Sequence, residues 1–71
     1  MSKYEIVEPG KKYYDSFYDD SLPFRVIRND LTADEANRFM FRNMEYRFYA
    51  RDMETGELYH KNTTGLKKVN K

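Results

Sequence analysis

The chain has 71 residues, which allow one hydrophobic core and exclude a second independently folding domain. Lys and Arg total 13 against 12 for Asp and Glu, and a net charge of +1 gives no general attraction to nucleic acid or to an anionic membrane. The absence of cysteine excludes disulfides, thiolate zinc sites and cysteine nucleophiles, and it fits a reducing cytoplasm. Seven Tyr and five Phe, 17% of the chain, predict an ordered domain with a largely aromatic core.

The N-terminus, Met-Ser-Lys-Tyr-Glu, lacks the apolar run of a signal peptide. No stretch approaches the roughly 18 uninterrupted apolar residues of a membrane span. We therefore expect a cytoplasmic protein that does not insert into a membrane.

Two strands are predicted ahead of a helix. The first covers residues 4–7 and ends at Pro9-Gly10, a pair whose order is typical of a type II turn. The second covers residues 24–28, and Asn29-Asp30 is predicted as the turn that leads into the helix. Between them, residues 11–22 allow either a short strand or an aromatic-rich loop across the sheet, and we favour the loop.

The clearest local signal is a helix start. Thr32 can cap the first turn through its hydroxyl, and Glu35, three residues later, can accept from the Thr32 amide. The pattern predicts a helix over 33–45, with Leu31 folded over the cap. Its apolar stripe follows spacings of three and four and contains Ala36, Phe39, Met40 and Met44.

After the helix, the apolar period changes from 3.6 to 2 and predicts a strand over 46–51. A turn with Gly56 in a left-handed conformation then returns the chain antiparallel over 58–61, which makes a hairpin. Residues 62–71 carry few apolar anchors, so we expect a basic, flexible C-terminal tail.

These elements predict an α+β fold in which one helix packs on a small, mostly antiparallel sheet of three to four strands, in the order β-β-α-β-β. The domain is expected to span residues 1–61. A domain of this size buries only about 60% of the surface that its unfolded chain exposes. A partner or a second copy would therefore add stability that the isolated domain lacks.

Neither catalysis nor metal or cofactor binding is expected. His60 is the sole histidine, and a lone imidazole is a poor match to the three or four N and S ligands that zinc takes. No catalytic triad, P-loop or glycine-rich fingerprint is present. Asp19 with Asp34 or Glu35 could form an acid pair, but such pairs arise by chance, and so short a chain rarely encloses a substrate cleft. We predict a non-enzyme in which His60 is a solvated or half-buried strand residue.

One group of basic and aromatic residues favours single-stranded nucleic acid. The predicted strand places Arg47, Tyr49 and Arg51 on one face, and Lys67 and Lys68 add positive charge in the tail. Rings that stack on bases beside cations that hold phosphates are typical of such sites. Acidic neighbours are close enough to pair with these arginines, and a salt-bridged outer face is the commoner outcome. Nucleic-acid binding therefore remains an alternative.

A surplus of rings and arginines favours a protein partner. Phe41 falls away from the helix stripe, beside Arg38 and Arg42, and the segment 13–22 holds more rings than a small core needs. Tyr, Phe and Arg are enriched at interfaces, and the acidic part of that segment would suit a basic groove on a target. The predicted partner-binding residues are Asp15, Phe17, Tyr18, Asp19, Asp20, Arg38, Phe41 and Arg42. The same rings could instead pack on the open sheet face or between the copies of a homodimer.

A strand followed by Leu-Thr-Ala-Asp-Glu-Ala and then by Tyr-Arg-Phe-Tyr-Ala-Arg, together with the Tyr-, Phe-, Lys- and Asn-rich composition, resembles in style the small accessory proteins of tailed bacteriophages. The resemblance covers residues 24–61 and transfers no functional residue. It implies a protein that binds a host enzyme, polymerase or defence complex, or less often nucleic acid. The favoured hypothesis is a non-catalytic protein-binding module that modulates or inhibits a larger cellular protein. The alternatives are a small single-stranded nucleic-acid-binding protein and a self-associating structural protein.

Overall fold

The computed structural model describes residues 3–11, 18–19 and 24–69. Its elements, in chain order, are β1 (Tyr4–Glu8), β2 (Gly10–Lys11), β3 (Tyr18–Asp19), β4 (Arg25–Leu31), α1 (Ala33–Arg42), β5 (Tyr49–Asp52), β6 (Leu58–His60) and β7 (Lys67–Lys68). Within the described ranges, five strands form an antiparallel sheet in the order β4-β1-β5-β6-β7, and β2 pairs with β3. The predicted α+β class is confirmed, with five strands in the main sheet rather than three to four.

The core lies between α1 and one face of the sheet. Ile6 of β1 and Ala50 of β5 form a buried cluster with Ala36 and Met40 of the helix. Alanine at positions 36 and 50 lets the helix backbone approach the sheet closely. Val7 points to the opposite face by strand alternation and is also fully buried, so the interior strand β1 places a buried apolar side chain on each face of the sheet.

The predicted helix start is confirmed as a complete capping box. The Thr32 hydroxyl oxygen accepts from the Glu35 amide at 3.1 Å, and Glu35 Oε1 accepts from the Thr32 amide at 2.9 Å. Two of the otherwise unpaired amides of the first turn are satisfied in this way, which is why the helix begins where the sequence indicates.

The helix ends three residues earlier than predicted, at Arg42. Asn43 caps it, and Asn43 Nδ2 donates to the Phe39 carbonyl at 2.8 Å. An asparagine side chain that bonds to the last turn competes with continuation of the helix. Met44, assigned to the buried stripe, is instead exposed, and that assignment was wrong.

The capping box makes helix stability depend on pH. The hydrogen bond from the Thr32 amide holds the pKa of Glu35 below its ordinary value of 4.5. Because the pKa is lower in the folded state, this contribution is present above the unfolded pKa and is lost as pH falls through the folded value. We expect the stability difference between the native chain and Glu35→Gln to shrink from pH 6 to pH 3 in urea denaturation. Gln can still accept the bond but does not titrate, so an unchanged difference would contradict the prediction.

Strand β4 extends through residues 29–30 as far as Leu31, so the predicted Asn29-Asp30 turn was wrong. Its pairing register with β1 shifts between Tyr4 and Ile6 and again between Ile6 and Val7. Asp30 lies at the first shift with φ of 61°, a left-handed conformation that Asp tolerates. Such bulges bend an edge strand and hinder its pairing with another chain.

The predicted hairpin after the helix is confirmed. Strands β5 and β6 pair antiparallel, and Gly56 in the turn between them has φ of 78°. The first arm is regular only from Tyr49, three residues later than predicted. Within the region predicted as a tail, β7 pairs with β6.

Residues 11–22, for which a short strand and a loop were both considered, are described only in part. Lys11 of β2 pairs with Tyr18 of β3, so these two positions are in strands, and Gly10 lies in β2 rather than inside a turn. Residues 12–17 and 20–23 lie outside the described residues. No helix in the described part of the chain is long and apolar enough to cross a membrane.

Candidate protein-binding surface

Large apolar side chains are exposed together where α1 ends. Phe41 is 36% exposed, Met44 63% and Tyr46 40%, and all three lie within six consecutive residues. Scattered exposed apolar residues are ordinary, but three large ones in one short segment favour an interaction site. We call Arg28, Arg38, Phe41, Arg42, Met44 and Tyr46 the helix-end surface.

A stack of rings connects this surface with the core. Phe39 lies against Phe48 with ring centroids 5.9 Å apart, and Phe48 lies against Tyr46 at 5.2 Å with an angle of 9° between the ring planes. Phe39 and Phe48 both pack against the buried cluster. Tyr46 is thus held by packing, so a partner that contacts it would order few additional rotamers.

Three arginines border the same region. Arg38 forms an ion pair with Asp34 one turn earlier in the helix. The guanidinium of Arg28 lies 5.4 Å from the centroid of the Phe39 ring, and Arg28 Nη1 donates to the Ile27 carbonyl at 2.8 Å. For Arg42, no ion pair or side-chain hydrogen bond is found in the described part of the protein.

These arginines surround a shallow depression of about 280 Å³ between α1 and the edge strand β4. It is lined by Arg28, Leu31, Glu35, Arg38, Phe39 and Arg42. We call it the arginine groove. Its one acidic side chain, Glu35, is engaged at the helix cap.

The structure brings together three of the predicted partner-binding residues, Arg38, Phe41 and Arg42, on adjacent turns of α1. Tyr18 and Asp19 are the two residues of strand β3, whereas Asp15, Phe17 and Asp20 lie outside the described residues. The sequence reasoning missed Arg28, Met44 and Tyr46. Met44 falls on the apolar stripe of the longer helix that was predicted, so its exposure was not expected. Arg28 lies near α1 only because strand β4 lies beside the helix.

Of the residues proposed for nucleic acid, Tyr49 and Arg51 of β5 alternate with the core residue Ala50 and so lie on the sheet face opposite α1, as predicted; Arg47 precedes the strand. Tyr49, however, is only 8% exposed. Phe24 lies edge-on at 6.2 Å between centroids, and Arg47 Nε donates to the Tyr49 hydroxyl at 3.2 Å. Arg51 Nε donates to Glu5 Oε2 at 2.7 Å. The ring is therefore covered, and one of the cations is neutralised.

The remaining basic residues of this group lie on β7, at the opposite edge from β4. Lys68 pairs with Glu57, and the hydrogen bond to that carboxylate raises the pKa of Lys68 above its ordinary value. Lys67 is exposed. His60 is also exposed, with its ring 5.2 Å from that of Tyr49.

A wider depression of about 570 Å³ lies near this edge. It is lined by Phe24, Arg51, Gly56, Glu57, Leu58, Lys68 and Val69. Both of its cations are already paired with carboxylates, so it has little charge to offer a ligand.

No group of His, Asp and Glu within the described residues could hold a metal ion. Of the acids considered for catalysis, Asp34 is paired with Arg38, and Glu35 caps the helix. The side chain of Asp19 is outside the description.

Comparison with protein-family models, with curated proteins and with solved structures finds no match to this chain.

Proposed function

We propose that this protein is a non-catalytic binding module whose helix-end surface contacts a larger protein. The observation that carries the proposal is the exposure of Phe41, Met44 and Tyr46 in the chain segment that begins at the helix turn of Arg38 and Arg42. Aromatic residues, Met and Arg are the types enriched at interface centres. The stack beneath Tyr46 supports the proposal further, because a preorganised contact costs less entropy on binding.

Single-stranded nucleic acid is the competing function, and the described residues favour it less. A stacking site needs an open ring face, and Tyr49 is covered by Phe24 and by Arg47. A phosphate site needs unpaired cations, and Arg51 and Lys68 each have a carboxylate partner.

The resemblance of residues 24–61 to small accessory proteins of tailed bacteriophages favours a host enzyme, polymerase or defence complex as the partner. We propose that the protein inhibits or modulates that partner by occupying part of its surface. A chain without cysteine suits the reducing cytoplasm in which such partners are found.

Site-specific photo-crosslinking tests the contact surface. A benzophenone amino acid placed at Phe41 is expected to trap one discrete protein in cells that naturally contain this chain. The same amino acid at Met53, an exposed apolar residue in the β5–β6 turn, is the matched control and should trap none. The yield of the crosslinked protein should fall when the Met44→Ser substitution is combined with the Phe41 probe. Equal capture at both positions, or none at Phe41, would contradict the proposal.

Light scattering over a concentration series separates the two alternatives. We expect a monomer whose mass does not change when a mixed single-stranded oligonucleotide is added at low salt. A dimer at every concentration would assign the exposed rings to self-association. A mass increase with the oligonucleotide, reversed by salt, would make nucleic acid the ligand.

A further inference from the structure

We infer that the arginine groove recognises an acidic peptide segment of the partner, with one or two Asp or Glu side chains next to an apolar one. This inference rests on the proposed function and specifies the chemistry of the partner. The groove combines three guanidinium groups with an apolar floor formed by Leu31 and Phe39.

The charge balance of the groove favours an anion. Its lining contains Arg28, Arg38 and Arg42 against Glu35, and when the Asp34 carboxylate that pairs with Arg38 is counted as well, the net charge is +1. Arg38 is shared with Asp34, and Glu35 is held by the helix cap. Arg42, and the guanidinium nitrogens of Arg28 other than the Nη1 that donates to the Ile27 carbonyl, therefore remain to bind carboxylates, for which the guanidinium group is well suited.

The floor of the groove selects a peptide over a nucleic acid. Arg28 and Phe48 already lie against the Phe39 ring, so this ring is not open to a stacked base. The side of the ring and the half-buried Leu31 can still contact an aliphatic or aromatic side chain. A ligand that carries both a carboxylate and an apolar group uses both parts of the groove.

The irregular pairing of edge strand β4 favours recognition of the peptide through side chains rather than through backbone hydrogen bonds. Its two register shifts hinder addition of a regular strand at this edge. The partner segment therefore lies in the groove between β4 and α1 and contacts the arginines, without extending the sheet.

The test uses the peptide acetyl-Gly-Asp-Leu-Asp-Phe-Gly-amide and its Asn-for-Asp counterpart in an NMR titration of the full chain. We expect chemical-shift changes concentrated at the end of β4 and in α1. The Asn peptide should bind more weakly than the Asp peptide, by about tenfold or more. Arg42→Gln and Arg28→Gln should each weaken the Asp peptide about fivefold. Lys67→Gln removes the same charge at the other sheet edge and should change affinity less than about twofold at physiological salt.

Three results would overturn the inference. The Asp and Asn peptides could bind equally. Alternatively, Lys67→Gln could weaken binding as much as Arg42→Gln, which would indicate a general effect of the protein's net charge. Inorganic phosphate or a single-stranded oligonucleotide could displace the peptide at lower concentration, which would make the groove a phosphate site. Capture of a protein through the Phe41 probe together with any of these results would leave the proposed function standing and remove only the acidic segment.

Discussion

Replacing Ile6 with Ala is expected to lower the free energy of unfolding by about 2–5 kcal/mol. Ile6 is fully buried in the interior strand β1, and it forms the core cluster with Ala36, Met40 and Ala50. Two of these neighbours are already alanines, which have no side-chain freedom with which to fill the resulting cavity. A domain of this size has a stability of only about 3–5 kcal/mol. The variant should therefore be largely unfolded at 25 °C even before urea is added, as judged by circular dichroism during a urea titration.

The matched control is Val26→Ala, which removes methyl groups from an exposed position of the edge strand β4. Its expected cost is about 0.5 kcal/mol or less. If Ile6→Ala unfolded at nearly the same urea concentration as the native chain, or if Val26→Ala were equally damaging, the core would not lie between α1 and β1 as described.

Replacing Asp52 with Ala is expected to cost about 1–3 kcal/mol. Asp52 is buried at the end of β5, and its Oδ1 accepts from the amides of Glu54 at 2.8 Å and Thr55 at 3.3 Å. Without that oxygen, the amides of two residues in the hairpin turn lose their acceptor. Urea denaturation of the variant should show the loss directly.

Asp52→Asn is the informative control, because its carbonyl oxygen can still accept both bonds. We expect it to recover at least half of the stability that Asp52→Ala loses. If both variants were equally unstable, the carboxylate charge rather than hydrogen bonding would explain the role of Asp52. If neither lost stability, the turn would be held by its backbone bonds alone, such as that from the Gly56 amide to the Asp52 carbonyl.

The elements predicted well are those whose signals are local. The capping box depends on residues three positions apart, and the hairpin depends on Gly56 and a change of period. The ends of elements were predicted less well. Asn43 ends the helix early, and residues 29–30 stay in β4 because pairing with β1 absorbs them as a bulge.

The candidate site was predicted in part for the same reason. Arg38, Phe41 and Arg42 lie within about one helical turn, so their proximity follows from the period of α1 alone. Arg28 joins them from a strand, and Tyr46 joins through its stack on Phe48. Neither contact has a signature in sequence spacing.

The face of β5 illustrates the difference most clearly. Alternation alone places Arg47, Tyr49 and Arg51 together, and it cannot distinguish an open basic face from a covered one. Phe24 and Glu5, which cover Tyr49 and pair with Arg51, are distant in the chain and are brought there by the pairing of β1 with β5 and by the chain leading into β4.

Composition and periodicity therefore establish the α+β class, the helix start and the hairpin, because each depends on neighbouring residues. Which rings are buried, which arginines are already paired and where an uncompensated positive charge meets an exposed apolar surface depend on contacts between distant segments. Those contacts arise only when the strands pair and α1 packs against them.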